Sequence, residues 1–201
     1  MQLSHYKLGG DSVFVIAEIG NNHNGSLKLA LEMVDAAHSA GANCVKFQMR
    51  NMSSVYRKKS LKKQGEDLGT EYILDLLDRF QLSQLEHKQV AEYCNQKGIL
   101  YMCTPWDSES VDILEALQVK AYKVASADLT NLPLIEKLIT TKKPLILSTG
   151  MSSVEEIQIT TDFLNSKDAE FALLHCNSTY PAPFHDINLN WIKNLKDIHP
   201  L

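Results

Sequence analysis

Lys46 lies between Val45 and Phe47, and Lys123 lies between Tyr122 and Val124, both inside runs that read as buried strands. A lysine in apolar surroundings must give up its proton or find an anion. Thr104, Ser126 and Ser148 stand at comparable strand positions and add hydroxyl donors. Two ammonium groups and three hydroxyls suit a cage for an anionic ligand, a phosphate or a carboxylate. The competing reading pairs each lysine with a carboxylate, Glu18 among them, in a structural network.

Other polar residues fall at the same ends of the apolar runs. Glu18 is followed by Asn21 and His23, Lys46 by Gln48, and the stretch His175-Cys176-Asn177-Ser178 by Tyr180. In N-N-H-N-G, His23 belongs either to functional chemistry or to a turn in which Asn24 and Gly25 supply the bend before a helix. His175 in LLHC reads as a hydrogen-bonded core histidine. No H-x-x-x-H pair or His/Asp cluster suggests a metal site within these residues. The basic run Arg57-Lys58-Lys59 with Lys62-Lys63 reads as a solvated face. Neither a G-x-G-x-x-G nor a P-loop pattern is present.

The elements that would position these groups alternate along the chain. Runs at 13–20, 44–48, 99–105, 121–126, 144–150 and 171–176 read as strands covered on both faces, as in a parallel sheet. Between them lie amphipathic stripes. Leu27, Ala30, Leu31, Val34 and Ala37 form one, closed by Gly41. Ser83 and Glu86 form a capping box for a helix that Gly98 ends. Val111, Leu114 and Leu117 mark a third helix, and Asn131 with Pro133 opens a fourth. Ser152 with Glu155 gives a second capping box, with Val154, Ile157 and Leu164 as its buried face. Residues 49–82 form a long connection with a short helix at 71–80, a length that usually serves function.

Six β-α units imply a parallel sheet with right-handed crossovers. A doubly wound sheet and an eight-stranded barrel both fit. An eight-unit barrel takes ~250 residues, and 201 residues supply six units, so the expectation is a (β/α)8 TIM-type barrel with about six of its units here. In either architecture the C-terminal strand ends hold the active site, which is where the polar residues fall.

Bulk composition narrows the function classes. With 44% hydrophobic and 22% charged residues and a net charge of −4, the chain is of ordinary globular type, without a basic surface for nucleic acid or a membrane patch. No run approaches a membrane span, and the N-terminus lacks the pattern of a secretory signal. Four cysteines without a C-x-x-C pair read as free thiols, which predicts a cytoplasmic location.

The motifs AEIGNNHNG (17–25), VKFQ (45–48), CTPWD (103–107), AYKVASAD (121–128), LSTGM (147–151) and LLHCNSTYPAPF (173–184) occur in one order along the chain. On these, the sequence resembles the N-acetylneuraminate (sialic acid) synthase family. The resemblance implies that residues 1–201 are the phosphoenolpyruvate-binding N-terminal barrel, incomplete, of a synthase that condenses phosphoenolpyruvate with an N-acyl hexosamine. It implies that Lys46, Thr104, Lys123, Ser126 and Ser148 hold the phosphate and carboxylate. It also implies that Glu18 is an active-site carboxylate near both substrates, that Tyr180 lies near the sugar, and that Ser178 stands where some members carry a phosphoenolpyruvate-contacting Asn. A divalent cation, Mn2+ or Mg2+, is expected, with histidine ligands beyond residue 201. So are a C-terminal antifreeze-like domain outside this stretch and a homodimer of the full-length protein. Another phosphoenolpyruvate-condensing barrel and a non-catalytic anion-binding barrel are the alternatives. Residues 1–201 alone are expected to be poorly soluble and inactive, because six units leave the outer strands without closing neighbours.

Overall fold

A computed structural model describes residues 1–56, 70–179 and 181–201, with side chains left undescribed at 70–73. The chain opens on a short antiparallel hairpin, β1 (Gln2–Leu3) and β2 (Tyr6–Lys7). Two compact units are then distinguished, Phe14–Val119, and Met1–Val13 together with Lys120–Leu201.

The Phe14–Val119 unit carries β3 (Ile16–Gly20), α1 (Leu27–Ser39), β4 (Cys44–Met49), α2 (Met52–Val55), α3 (Thr70–Arg79), α4 (Gln84–Lys97), β5 (Leu100–Pro105) and α5 (Ser108–Ala116). Its strands pair in parallel in chain order, Glu18 opposite Lys46 and Lys46 opposite Met102. Ser26 caps α1 by accepting from the Leu29 amide. The Ser83–Glu86 capping box forms, and Gly98 ends α4 in the left-handed conformation, as the sequence predicts. The expected helix at 71–80 is α3; the basic run at 57–63 lies outside the described residues. Val45, Phe47, Val90 and Cys94 are fully buried.

The other unit holds, besides the hairpin, β6 (Tyr122–Val124), α6 (Leu132–Thr140), β7 (Leu145–Ser148), α7 (Val154–Ser166), β8 (Phe171–Leu174) and α8 (Trp191–Ile198), with single 3-10 turns at Ser126–Asp128 and Phe184–Asp186. These strands are also parallel and in chain order. Asn131 caps α6, with proline in its first turn. Ile135, Leu138, Leu145, Leu147, Ile157, Leu164 and Phe171 form its core.

Three local expectations shift. The first strand begins at Ile16 rather than at residue 13, and Val13 is 84% exposed. The ladder register with β4 starts at Ile16 opposite Cys44; Val15 is tied to the start of β4, its carbonyl accepting from the Asn43 and Cys44 amides. The second capping box uses Ser153 and Glu156 instead of Ser152 and Glu155. Ser152 instead donates its amide to the Thr149 carbonyl, which turns the chain one residue later. That move leaves Val154 exposed at the helix start, while Ile157 and Leu164 stay buried.

Candidate functional site

In the Phe14–Val119 unit, strand pairing sets Glu18, Lys46 and Met102 in one row and Gln48 opposite Thr104 in the next. Side chains two apart on a strand share a face. Lys46 is buried, and its Nζ donates to Thr104 Oγ1 at 3.2 Å. The same Nζ lies 2.9 Å from Glu18 Oε2, whose side chain is 59% exposed. Of the two readings of Lys46, the pairing with Glu18 is the one its contacts show, and that carboxylate reaches solvent. Asp107 of CTPWD serves the scaffold. It accepts from the Asn51 amide at 2.7 Å and from the Ser110 amide at 2.8 Å, capping α5.

In the other unit, buried Lys123 donates to the Val124 carbonyl at 2.6 Å and to Ser148 Oγ at 2.5 Å. The Cys176 thiol also donates to Ser148 Oγ, at 3.2 Å. With its oxygen accepting from both, the Ser148 hydroxyl proton is left to point elsewhere. Ser126 Oγ accepts from the Gly150 amide at 3.2 Å. Gly150 has no room for a side chain, because a Cβ there would meet the Cys176 carbonyl oxygen at 2.8 Å. LSTGM and HC thus interlock through backbone, which neither motif shows alone.

Ser178 is exposed in a bend after β8, and His175 is half-buried just past that strand. Tyr180 lies outside the described residues. His23 takes the turn reading: it is buried, its Nδ1 accepts from the Gly25 amide at 3.1 Å, and Asn24 and Gly25 both have positive φ. Burial lowers its pKa below the usual imidazole value. Among the described residues no three His, Cys, Asp or Glu side chains gather into a possible metal cage. All four cysteines are free thiols. Burial raises Cys44 beyond the usual thiol range, and Cys94 and Cys103 to about 12. No described helix is long and apolar enough to cross a membrane.

Sequence reasoning missed Arg50. It is buried, donates from Nη2 to Gln48 Oε1, and lies 4.7 Å from the centre of the Trp106 ring. The available signal was its position two residues after Gln48, just past the end of β4 and in phase with Lys46.

Residues 33–201 match the NeuB family. The chain is 43% identical to an uncharacterized protein of Methanocaldococcus jannaschii, over 94% of this chain and 53% of that protein. It is 38% identical to the N,N'-diacetyllegionaminic acid synthase of Legionella pneumophila, over 92% of this chain and 54% of the synthase. The crystal structure of an N-acetylneuraminic acid (sialic acid) synthetase from Leptospira borgpetersenii, in complex with citrate, superimposes with a TM-score of 0.87 at 35% identity, covering 98% of this chain and 66% of that one. The six parallel strands with alternating helices are therefore part of a TIM-type (β/α) fold. The chain spans about half the length of these two curated relatives.

Proposed function

The chain belongs to the NeuB family, and from that premise we propose that it serves a nonulosonic acid synthase, joining phosphoenolpyruvate to an N-acyl hexosamine. The observation that carries this reading is the pair of buried strand lysines, each donating to a hydroxyl side chain, Lys46 to Thr104 and Lys123 to Ser148. Such fixed point charges suit a phosphate and a carboxylate.

In this reading the resemblance assigns Lys46, Thr104, Lys123, Ser126 and Ser148 to the two anionic groups of phosphoenolpyruvate. Its methylene carbon forms a bond to the sugar aldehyde carbon, and the aldehyde oxygen takes up a proton. Water adds at the enol carbon, where positive charge develops. Phosphate then leaves with the bridging oxygen, by C–O cleavage, giving a 2-keto acid. Lysines held beside the anion stabilise the charge on the leaving phosphate. Glu18, already bonded to Lys46, would orient a substrate or move a proton at the sugar oxygen. Ser178 and Tyr180 would contact phosphoenolpyruvate and the sugar. The Mn2+ or Mg2+ implied by the resemblance would be held by residues beyond 201, and no step here is assigned to it. A cytoplasmic homodimer with a C-terminal antifreeze-like domain completes the proposal.

The test is phosphate release by the whole protein from phosphoenolpyruvate labelled with 18O at the bridging position. N-acetylmannosamine, its 6-phosphate and di-N-acetyl bacterial sugars would be offered in turn. The expected result is label in the phosphate with one of these sugars. Binding of phosphoenolpyruvate without release for any sugar would favour a non-catalytic anion-binding barrel.

A further inference from the structure

A guanidinium can only donate hydrogen bonds. Because Arg50 Nη2 bonds Gln48 Oε1, the orientation of the Gln48 carboxamide is decided: its oxygen faces Arg50 and its NH2 group faces away. That NH2 group lies near Gly20 at the end of β3, where a Cβ on Gly20 would stand 3.5 Å from Nε2. Gln48 is half-buried, so the amide is within reach of a ligand. Arg50 is itself held in place. Its Cζ lies over the Trp106 ring, 4.7 Å from the ring centre, a contact that favours guanidinium. Trp106 is fixed by its backbone amide, which donates to the Met49 carbonyl at 3.0 Å. The indole Nε1 is buried and has no hydrogen-bond partner among the described residues, so what Trp106 offers Arg50 is its ring face.

We propose that Arg50 is a positioning residue, which fixes the Gln48 carboxamide so that its NH2 group is presented near Gly20 as a neutral donor to a substrate oxygen. Left alone, a glutamine carboxamide can turn either its oxygen or its NH2 group toward Gly20. Arg50 removes that choice. The kind of substrate rests on the synthase reading; the amide orientation does not.

The experiment uses the whole protein with 15N-labelled glutamine side chains. Gln48→Glu identifies the Gln48 amide signal and keeps an acceptor for Arg50. The expected result is that Arg50→Met moves that signal toward the position of an unconstrained glutamine, while Arg50→Lys, which keeps a charged donor, moves it less. In turnover, Gln48→Glu and Arg50→Met should each raise one substrate's KM about tenfold with a smaller change in kcat. In a Gln48→Ala background, Arg50→Met should add less than a twofold change. An amide signal unmoved by Arg50→Met, or an equal KM effect in the Gln48→Ala background, would overturn the proposal. If no sugar supports turnover, the synthase reading fails by itself and the amide signal still decides the role of Arg50.

Discussion

On one face of β4, Val45 and Phe47 are fully buried, and Phe47 packs 5.7 Å from Tyr101, 5.8 Å from His23 and 6.2 Å from His87 by ring centres. On the other face, Lys46 and Gln48 carry polar heads bonded to Glu18, Thr104 and Arg50. The same six residues thus build a dry aromatic layer and a charged surface 180° apart. Even the polar atoms of the aromatic side are used up internally, since His87 Nδ1 and the Tyr101 hydroxyl share a 2.8 Å bond. The polar side instead ends on Glu18, which stays open to solvent. The contrast separates what holds β4 in place from what can meet a ligand, and substitutions on the two faces should separate in the same way.

The largest effect on folding should come from the aromatic face. Phe47→Ala empties a fully buried site that three rings surround, which should cost about 3–5 kcal/mol. Denaturant unfolding measures it. A loss below about 1 kcal/mol would mean that this layer does not anchor the strand.

The next effect is a pH dependence of the same layer. Burial lowers the His87 pKa from 6.5 to about 4, so the folded state resists a proton that the unfolded chain accepts. The His87 contribution is fully present above pH 6.5, falls as pH drops from 6.5 toward 4, and levels off below that. At about 1.4 kcal/mol per pH unit, the loss amounts to about 3 kcal/mol. His23, also lowered by burial, acts in the same direction. Unfolding free energies measured between pH 7 and 4 should show this slope, and His87→Gln should flatten most of it. An unchanged slope in that variant would assign the acid sensitivity elsewhere.

Lys46→Met reverses the pattern. Met fills a similar volume, and the Glu18 carboxylate left behind is exposed, so folding should change by about 1 kcal/mol or less. Binding of phosphoenolpyruvate should weaken by about 1.5–3 kcal/mol, the size of a charge-assisted hydrogen bond. Calorimetry on the whole protein reads this directly, and unchanged affinity would remove Lys46 from the anion site.

The division between the faces was partly legible in the sequence. The run at 44–48 reads as covered on both faces, and only the lysine at 46, standing out against its apolar neighbours, marks one face as different. The caps at Ser83 and Asn131 were legible for a related reason, because a side-chain oxygen followed by a helical stripe has one economical use. What was not legible depends on distant partners. Val13 looks like a strand residue, but the ladder register with β4 starts only at Ile16. The capping box of α7 moved by one residue because the Thr149 carbonyl binds the Ser152 amide, and two serines in a row give no local way to choose. Arg50 reads as a surface charge until Trp106, 56 positions later, is folded beneath it.

Glu18→Gln should have the smallest effect on folding of these four and gives the sharpest test of the polar face. Its side chain is 59% exposed and its described ion pair is with Lys46, so the stability change should be about 1 kcal/mol or less. The amide keeps an oxygen that can accept from Lys46, which should leave phosphoenolpyruvate affinity nearly intact. What glutamine cannot do is carry a proton or place a full negative charge beside the reacting sugar. If Glu18 acts there, its contribution is expressed in the transition state, and kcat should fall more than affinity. Parallel calorimetry and steady-state assays on the whole protein would separate the two quantities. Normal turnover in the variant would make Glu18 a partner that only holds Lys46 in place.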